Sequence, residues 1–166
     1  MRKIIAGILA AFLFIGCSAK VADENVTPKL VVGNSLSEMK INDQFGNAES
    51  IQANTKKVIF AFSKATAHTC NDYFKTKDVD YLSKNNSQFV ADVSAAPSLI
   101  RKMFIMPGLK DFKHTVLILE DKEVAAGYRA NMDTEKIVVV QINNHKIVNI
   151  STVTTVSELT KEIEVQ

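Results

Sequence analysis

Few residues in this sequence could do chemistry, and cysteine is the most reactive type among them. The chain of 166 residues has 2 cysteines and 3 histidines. Cys70 stands at the start of residues 70–85, where apolar residues recur at helical spacing, so a helix dipole could favour its thiolate, with His68 assisting. His68 and Cys70 could also chelate a soft ion such as Cu(I), with His114 as a further ligand. The plainer interpretation is an unreactive, semi-buried thiol beside histidines with structural roles.

Other kinds of chemistry have weaker support. Asp92 and Asp121 follow predicted strands, where α/β sheets often place sites, but a turn or a helix cap explains each of them. The sequence has no glycine-rich phosphate loop and no Ser/His/Asp set in a suitable strand-turn context. We therefore predict no cofactor.

The other cysteine, Cys17, directly follows a segment with the pattern of an N-terminal export signal. Residues 1–16 begin with two basic residues and continue as an uncharged apolar run. The run is shorter than the roughly 20 residues that span a bilayer. The sequence FIGC at 14–17 resembles a bacterial lipobox, in which the cysteine is acylated and becomes the new N-terminus. Ordinary signal cleavage after Ala19 is the alternative.

The lipobox resemblance implies where the protein resides. It predicts a signal peptide at 1–16, a lipid bilayer as partner through acylated Cys17, and a periplasm-facing position in the bacterial cell envelope. Ser18 resembles the class that is sorted to the outer membrane. Polar residues 17–34 then form a tether, and 35–166 form one folded domain.

Charge gives no sign of a nucleic-acid partner. The full chain has 20 basic and 18 acidic residues. Two of the basic residues, Arg2 and Lys3, belong to the signal, so removing it leaves 18 of each sign and no net charge. A nucleic-acid-binding domain usually carries a clustered basic face. We therefore expect an unknown envelope protein as partner, and no nucleic acid.

Segments typical of strands and helices alternate through the domain. Strands are expected at 57–62, 88–93, 114–119, 137–142 and 146–150, and helices at 70–85, 97–104, 121–129 and from Thr155 onward. Thr155 and Glu158 have the spacing of a capping box. Alternating strands and helices pair in parallel, and the turn at 143–144 starts an antiparallel hairpin. This predicts an α/β fold with a mixed central sheet and helices on both faces.

The predicted helix at 97–104 has one apolar face. Leu99, Ile100, Met103 and Phe104 recur at the spacing of a single helix face, and Met103 is expected to fill the core. Pro107 and Gly108 are expected to end this helix.

The element order resembles the thioredoxin-like fold, in the version used by peroxiredoxins and the TlpA group. Residues 36–46 (LSEMKINDQFG) look like the opening hairpin of that fold, and residues 123–128 look like its short helix ending in tyrosine. Residues 143–147 (NNHKI) stand in place of its D-x-x-G-x-I hairpin. The resemblance covers roughly 35–164 and implies a three-layer sandwich. The arrangement is also similar to the small periplasmic YtfJ family.

This resemblance implies a redox site that the sequence lacks. A thioredoxin-like oxidoreductase has two cysteines separated by two residues at the start of its first helix, but residues 63–70 (SKATAHTC) contain only Cys70. The peroxidatic pattern places threonine and proline where this chain has Ala67 and Ser63. The cis-proline of the family is replaced near 135–136. The sequence therefore predicts a redox-inactive binding or support module. The alternative is a one-cysteine thiol peroxidase or oxidoreductase, or a copper chaperone, that uses Cys70.

Overall fold

A seven-stranded mixed sheet forms the centre of the part of the chain that the computed structural model describes, residues 26–165. The sheet contains, in chain order, β1 (Lys40–Asp43), β2 (Ala48–Ser50), β3 (Lys57–Ala61), β4 (Ser87–Asp92), β5 (Leu117–Leu119), β6 (Ile137–Asn143) and β7 (Lys146–Val153). Its spatial order is β2-β1-β5-β4-β3-β6-β7. The pairs β3/β4 and β4/β5 are parallel, whereas β1/β2, β1/β5, β3/β6 and β6/β7 are antiparallel.

Helices cover both faces of this sheet. The helical segments are α1 (Lys64–Lys75), α2 (Tyr81–Lys84), α3 (Ser98–Ile100), a π-helical turn (Arg101–Ile105), α4 (Met106–Lys110), α5 (Lys122–Arg129) and α6 (Val156–Glu164). The predicted α/β architecture with a mixed sheet is confirmed. The predicted capping box is also present, because Thr155 accepts a hydrogen bond from the Glu158 backbone and Glu158 bonds back to Thr155.

Two apolar cores lie on opposite sides of β3, which pairs in parallel with β4 and antiparallel with β6. Successive side chains of a strand point to opposite faces, so Phe60 packs on the α5 side and Ile59 on the side of α1 and α6. Phe60 stacks against Tyr128 of α5 with ring centroids 5.9 Å apart. Ile59 shares its core with Phe74 of α1 and Leu159 of α6. The continuous apolar run in β3 is thus explained by burial on both faces.

The packed unit begins before residue 35. The Lys29 N–H donates to the Gly127 carbonyl at 2.9 Å, the Gly33 N–H donates to the Ile147 carbonyl at 2.8 Å, and Leu30 is buried in the α5-side core. Part of the segment expected to be a tether therefore packs on the domain. The predicted signal at 1–16 and Cys17 lie outside the described residues.

The first helix starts earlier than the predicted start at Cys70. Ser63 caps α1, which runs from Lys64 to Lys75 and ends well before residue 85. The exposed polar residues of the first turns concealed the start, because the helical apolar spacing begins only at Cys70.

The segment between β4 and β5 also differs from expectation. Pro107 and Gly108 do not end the helix but lie inside α4, directly after the π-helical turn. A π-helical turn shifts the backbone hydrogen-bond register, which accommodates a proline that has no N–H to donate. The expectation that Met103 fills the core is wrong, because its side chain is exposed; Leu109 is buried instead.

Candidate functional site

Two hydroxyl side chains occupy the start of α1. Ser63 Oγ accepts a hydrogen bond from the Thr66 N–H at 3.3 Å, and Thr66 Oγ1 accepts one from the Ser63 N–H at 3.1 Å. The two side-chain oxygens are 3.1 Å apart. Ser63 and Thr66 have two residues between them, which is the spacing of the two cysteines in a thioredoxin-like oxidoreductase. Here the pair caps a helix, and hydroxyls cannot form a disulfide.

Cys70 lies two turns into α1 rather than at its start. Its side chain is fully buried in the core shared by α1 and α6, and burial raises the pKa of its thiol to about 12. The stabilisation of anions by a helix dipole falls off within the first turn, so it does not offset this burial. The position of Cys70 therefore does not favour a thiolate, which agrees with the plainer interpretation of a buried thiol.

His68 does not contact the thiol that it was expected to assist. Residues two apart on an α-helix point in different directions, and His68 is exposed whereas Cys70 is buried. The two side chains therefore form neither a nucleophile-base pair nor a chelate. Their apparent proximity in the sequence came from the spacing alone.

His114 is a buried structural residue of the core beside α1. Its Nε2 lies 2.9 Å from Asn71 Oδ1, and because an amide oxygen only accepts, the imidazole N–H donates this hydrogen bond. Burial lowers the pKa of His114 to about 4. Three phenylalanine rings surround the imidazole, those of Phe74, Phe89 and Phe112. His114 therefore connects α1 to the chain leading into β5.

The backbone around His114 is held by a side chain from the β1-β2 turn. Gln44 is buried, its Nε2 donates to the His114 carbonyl, and its Oε1 accepts from the Val116 N–H, each at 2.9 Å. This amide replaces a strand partner for residues 114–116, which explains why β5 is shorter than the predicted strand at 114–119.

Within residues 26–165, no cluster of three or more His, Cys, Asp or Glu side chains is arranged to hold a metal ion. None of the helices in this same part of the chain combines the length and apolar character needed to cross a membrane.

An ion pair at the carboxyl end of β4 was not anticipated. Asp92 Oδ2 lies 2.5 Å from Arg129 Nη1 at the end of α5, and the carboxylate side chain is almost completely buried. Ser94 joins the pair, since its N–H donates to Asp92 Oδ1 and its hydroxyl accepts from Arg129, both at 2.8 Å. Asp92 was singled out by its position after a strand, but nothing in the spacing indicated Arg129. Asp121 has the expected capping role, because it accepts from two backbone N–H groups of α5.

Solved structures share this fold. A peroxiredoxin-like protein from Aquifex aeolicus has a TM-score of 0.51 at 14% identity, covering 84% of this chain and 89% of that chain. A candidate protein disulfide isomerase from Bacteroides thetaiotaomicron has a TM-score of 0.52 at 14% identity, covering 84% and 90%. A peroxidoxin from Mycobacterium tuberculosis has a TM-score of 0.50 at 13% identity, covering 80% and 93%.

No protein-family model matches the sequence, and no curated protein matches it. The structural neighbours define the class of fold: the chain has an α/β thioredoxin-like fold of the kind seen in peroxiredoxin-like proteins. At such low sequence identity the likeness concerns the fold alone.

Proposed function

We propose that this chain is a bacterial envelope lipoprotein whose thioredoxin-like domain is a redox-inactive binding or support module. One observation carries the proposal: the start of α1 presents the hydroxyls of Ser63 and Thr66, while the thiol of Cys70 is buried two turns further on. The fold would thus serve as a scaffold for a partner in the envelope rather than as a catalyst.

Thiol chemistry requires an accessible thiolate. Disulfide exchange proceeds by attack of a thiolate on a disulfide sulfur, and its rate depends on access and on the thiolate fraction. Both are low for Cys70, because the side chain is fully buried and burial raises the pKa of its thiol to about 12. If Cys17 is acylated, Cys70 is the last thiol of the mature protein, and a single thiol cannot form a disulfide within one molecule.

The alternative, a Cys70-dependent peroxidase, oxidoreductase or copper chaperone, requires Cys70 and a partner side chain to share an open site. His68 was the nearest candidate, but it is exposed while Cys70 is buried. His114 is committed to Asn71 in the core.

The reactivity of Cys70 tests the proposal. We expect the native thiol to react with a chromogenic disulfide reagent at pH 8 at least about 100-fold more slowly than in denaturant, because reaction requires local opening of α1. The matched control is His68→Cys in a Cys70→Ala background, which places a thiol on the exposed side of the same helix. The control should react at an ordinary rate with a thiol pKa near about 8.5. Equal rates for Cys70 and the control would overturn the proposal.

Membrane attachment has a separate test at Cys17. We expect Cys17→Ser to release the full-length protein from bacterial membranes, because acylation requires the thiol of that residue. The measurement is fractionation followed by mass analysis of the N-terminus, with Ser18→Thr as the control that keeps the acylated residue. Recovery of the unacylated parent protein in the soluble periplasm would contradict the proposed lipid anchor at Cys17.

A further inference from the structure

A continuous helical segment, residues 98–110, leaves four large apolar side chains in solvent. We call α3, the π-helical turn and α4 together the connector helix. Its exposed apolar residues define an apolar patch, with exposed fractions of 64% for Leu99, 42% for Ile100, 58% for Met103 and 65% for Phe104. Scattered apolar residues on a surface are ordinary, but four on one short helix form a patch that indicates an interaction site.

The patch is separate from the side of the connector helix that packs on the domain. Leu109 is buried, and Ile105 and Met106 are partly buried against the core beside α1. The helix is therefore already anchored, and the patch is additional apolar surface. The π-helical turn Arg101–Ile105 lies in the middle of the connector helix. Such turns are rare in proteins overall, but they are often found at functional sites.

Charge along the connector helix has one sign. Residues 94–110 contain three basic side chains and no Asp or Glu. Arg101 is turned toward the domain, where Nη1 donates to the Ala96 carbonyl at 2.7 Å. Lys102 and Lys110 are exposed beside the patch. Asp111, just beyond the helix, is the first acidic residue that follows.

We propose that the connector helix docks on the surface of an anionic phospholipid bilayer. The apolar patch enters the boundary between headgroups and acyl chains, and Lys102 and Lys110 extend along it to the lipid phosphates. Basic residues next to an anionic leaflet are attracted to its surface potential. A protein partner fits the two exposed lysines less well, because lysine is depleted in protein interfaces.

The choice of a bilayer rests in part on the proposed function, since a lipidated Cys17 would keep the domain close to a membrane. Docking itself needs no lipid anchor. It can be tested on residues 26–166, because both cores lie between Leu30 and Ile163, and this segment contains every buried apolar contact that the structure describes.

Vesicle binding of residues 26–166 tests the proposal. The probes are vesicles of phosphatidylcholine with and without phosphatidylglycerol, and the measurement is the partition coefficient from sedimentation. We expect binding to the anionic vesicles, at least about tenfold weaker binding to the neutral ones, and weakening by salt. Met103→Ser with Phe104→Ser, or Lys102→Glu with Lys110→Glu, should each lower the partition coefficient at least about tenfold.

Matched controls place the same changes elsewhere on the surface. Val79→Ser removes an apolar side chain that is 63% exposed, and Lys40→Glu with Lys75→Glu reverses two exposed charges. Any decrease of the partition coefficient in these variants should follow from their net charge alone and should be smaller than in the patch variants. Thermal melts should confirm that all variants are folded.

Three results would overturn the proposal. The first is the absence of binding to anionic vesicles, and the second is an equal loss of binding in patch and control variants. The third is a concentration-dependent dimer that Met103→Ser with Phe104→Ser abolishes without any vesicle binding, which would assign the patch to a second copy of the chain. None of these results changes the reactivity of Cys70 or the fractionation of Cys17→Ser, so failure of docking and failure of the proposed function are distinguishable.

Discussion

Replacing both Ser63 and Thr66 by cysteine should give this chain a disulfide that forms and breaks reversibly. The two side-chain oxygens are 3.1 Å apart at the N-terminus of α1, so sulfur atoms attached there are within reach of each other with only small adjustments. The helix N-terminus would lower the pKa of the thiol introduced at position 63. We expect the double variant, in a Cys70→Ala background, to reduce insulin disulfides measurably, whereas the parent does not.

The two single variants are the controls for this gain. Ser63→Cys alone and Thr66→Cys alone cannot form a disulfide within the molecule, so they should show no turnover. Loss of the cap should lower the free energy of unfolding by about 1 kcal/mol in each, which a denaturant titration measures. If the double variant stays fully reduced in oxidised glutathione, the start of α1 is not equivalent to the redox site of the fold.

Acid should destabilise the domain through His114. Its pKa falls from about 6.5 in the unfolded chain to about 4 in the folded one, where burial disfavours the charged imidazole. Between these values the unfolded chain binds more protons, so the free energy of unfolding falls as the pH drops through this window. The loss by pH 4 is roughly 3 kcal/mol, a large share of the stability of a small domain.

Denaturant titrations between pH 7 and pH 4 measure this loss. His114→Gln retains an amide that can donate toward Asn71 and does not titrate, so most of the pH dependence in this window should disappear. His68→Gln, which removes an exposed histidine of α1, is the matched control. Identical pH dependence in the parent and in His114→Gln would contradict the neutral, buried imidazole.

The fold could be predicted because its signals are local. The apolar run of β3 is long enough for a strand, and the alternation of strands with helices implied the parallel pairs that the sheet contains. The capping box at Thr155 and Glu158 also depends on residues close in sequence.

The candidate site could be predicted less well from the sequence, because its features depend on which helix face packs against the core. The apolar spacing placed the helix start at Cys70, although Ser63 and Thr66 already had the spacing of a cap with a hydroxyl in place of the usual Glu or Gln. The core that buries Cys70 also contains Leu159 and Ile163 of α6, which are far from it in sequence, so the full extent of its burial was not visible locally.

Two other features depend on tertiary contacts in the same way. The apolar spacing of residues 99–104 indicated a helix face but not its direction, and the structure turns that face outward. The Asp92–Arg129 pair joins residues far apart in sequence, so neither side chain revealed its partner. The direction of a helix face and the partner of an ion pair both depend on neighbouring elements, which the sequence of one element does not specify.

Turnover by the purified mature protein tests the central claim most directly. The measurement is the rate of hydrogen peroxide consumption and of insulin disulfide reduction with dithiothreitol as reductant, for the parent and for Cys70→Ala. The account predicts rates for both proteins that equal the rate without protein. Enzyme-like turnover in the parent that Cys70→Ala abolishes would contradict it.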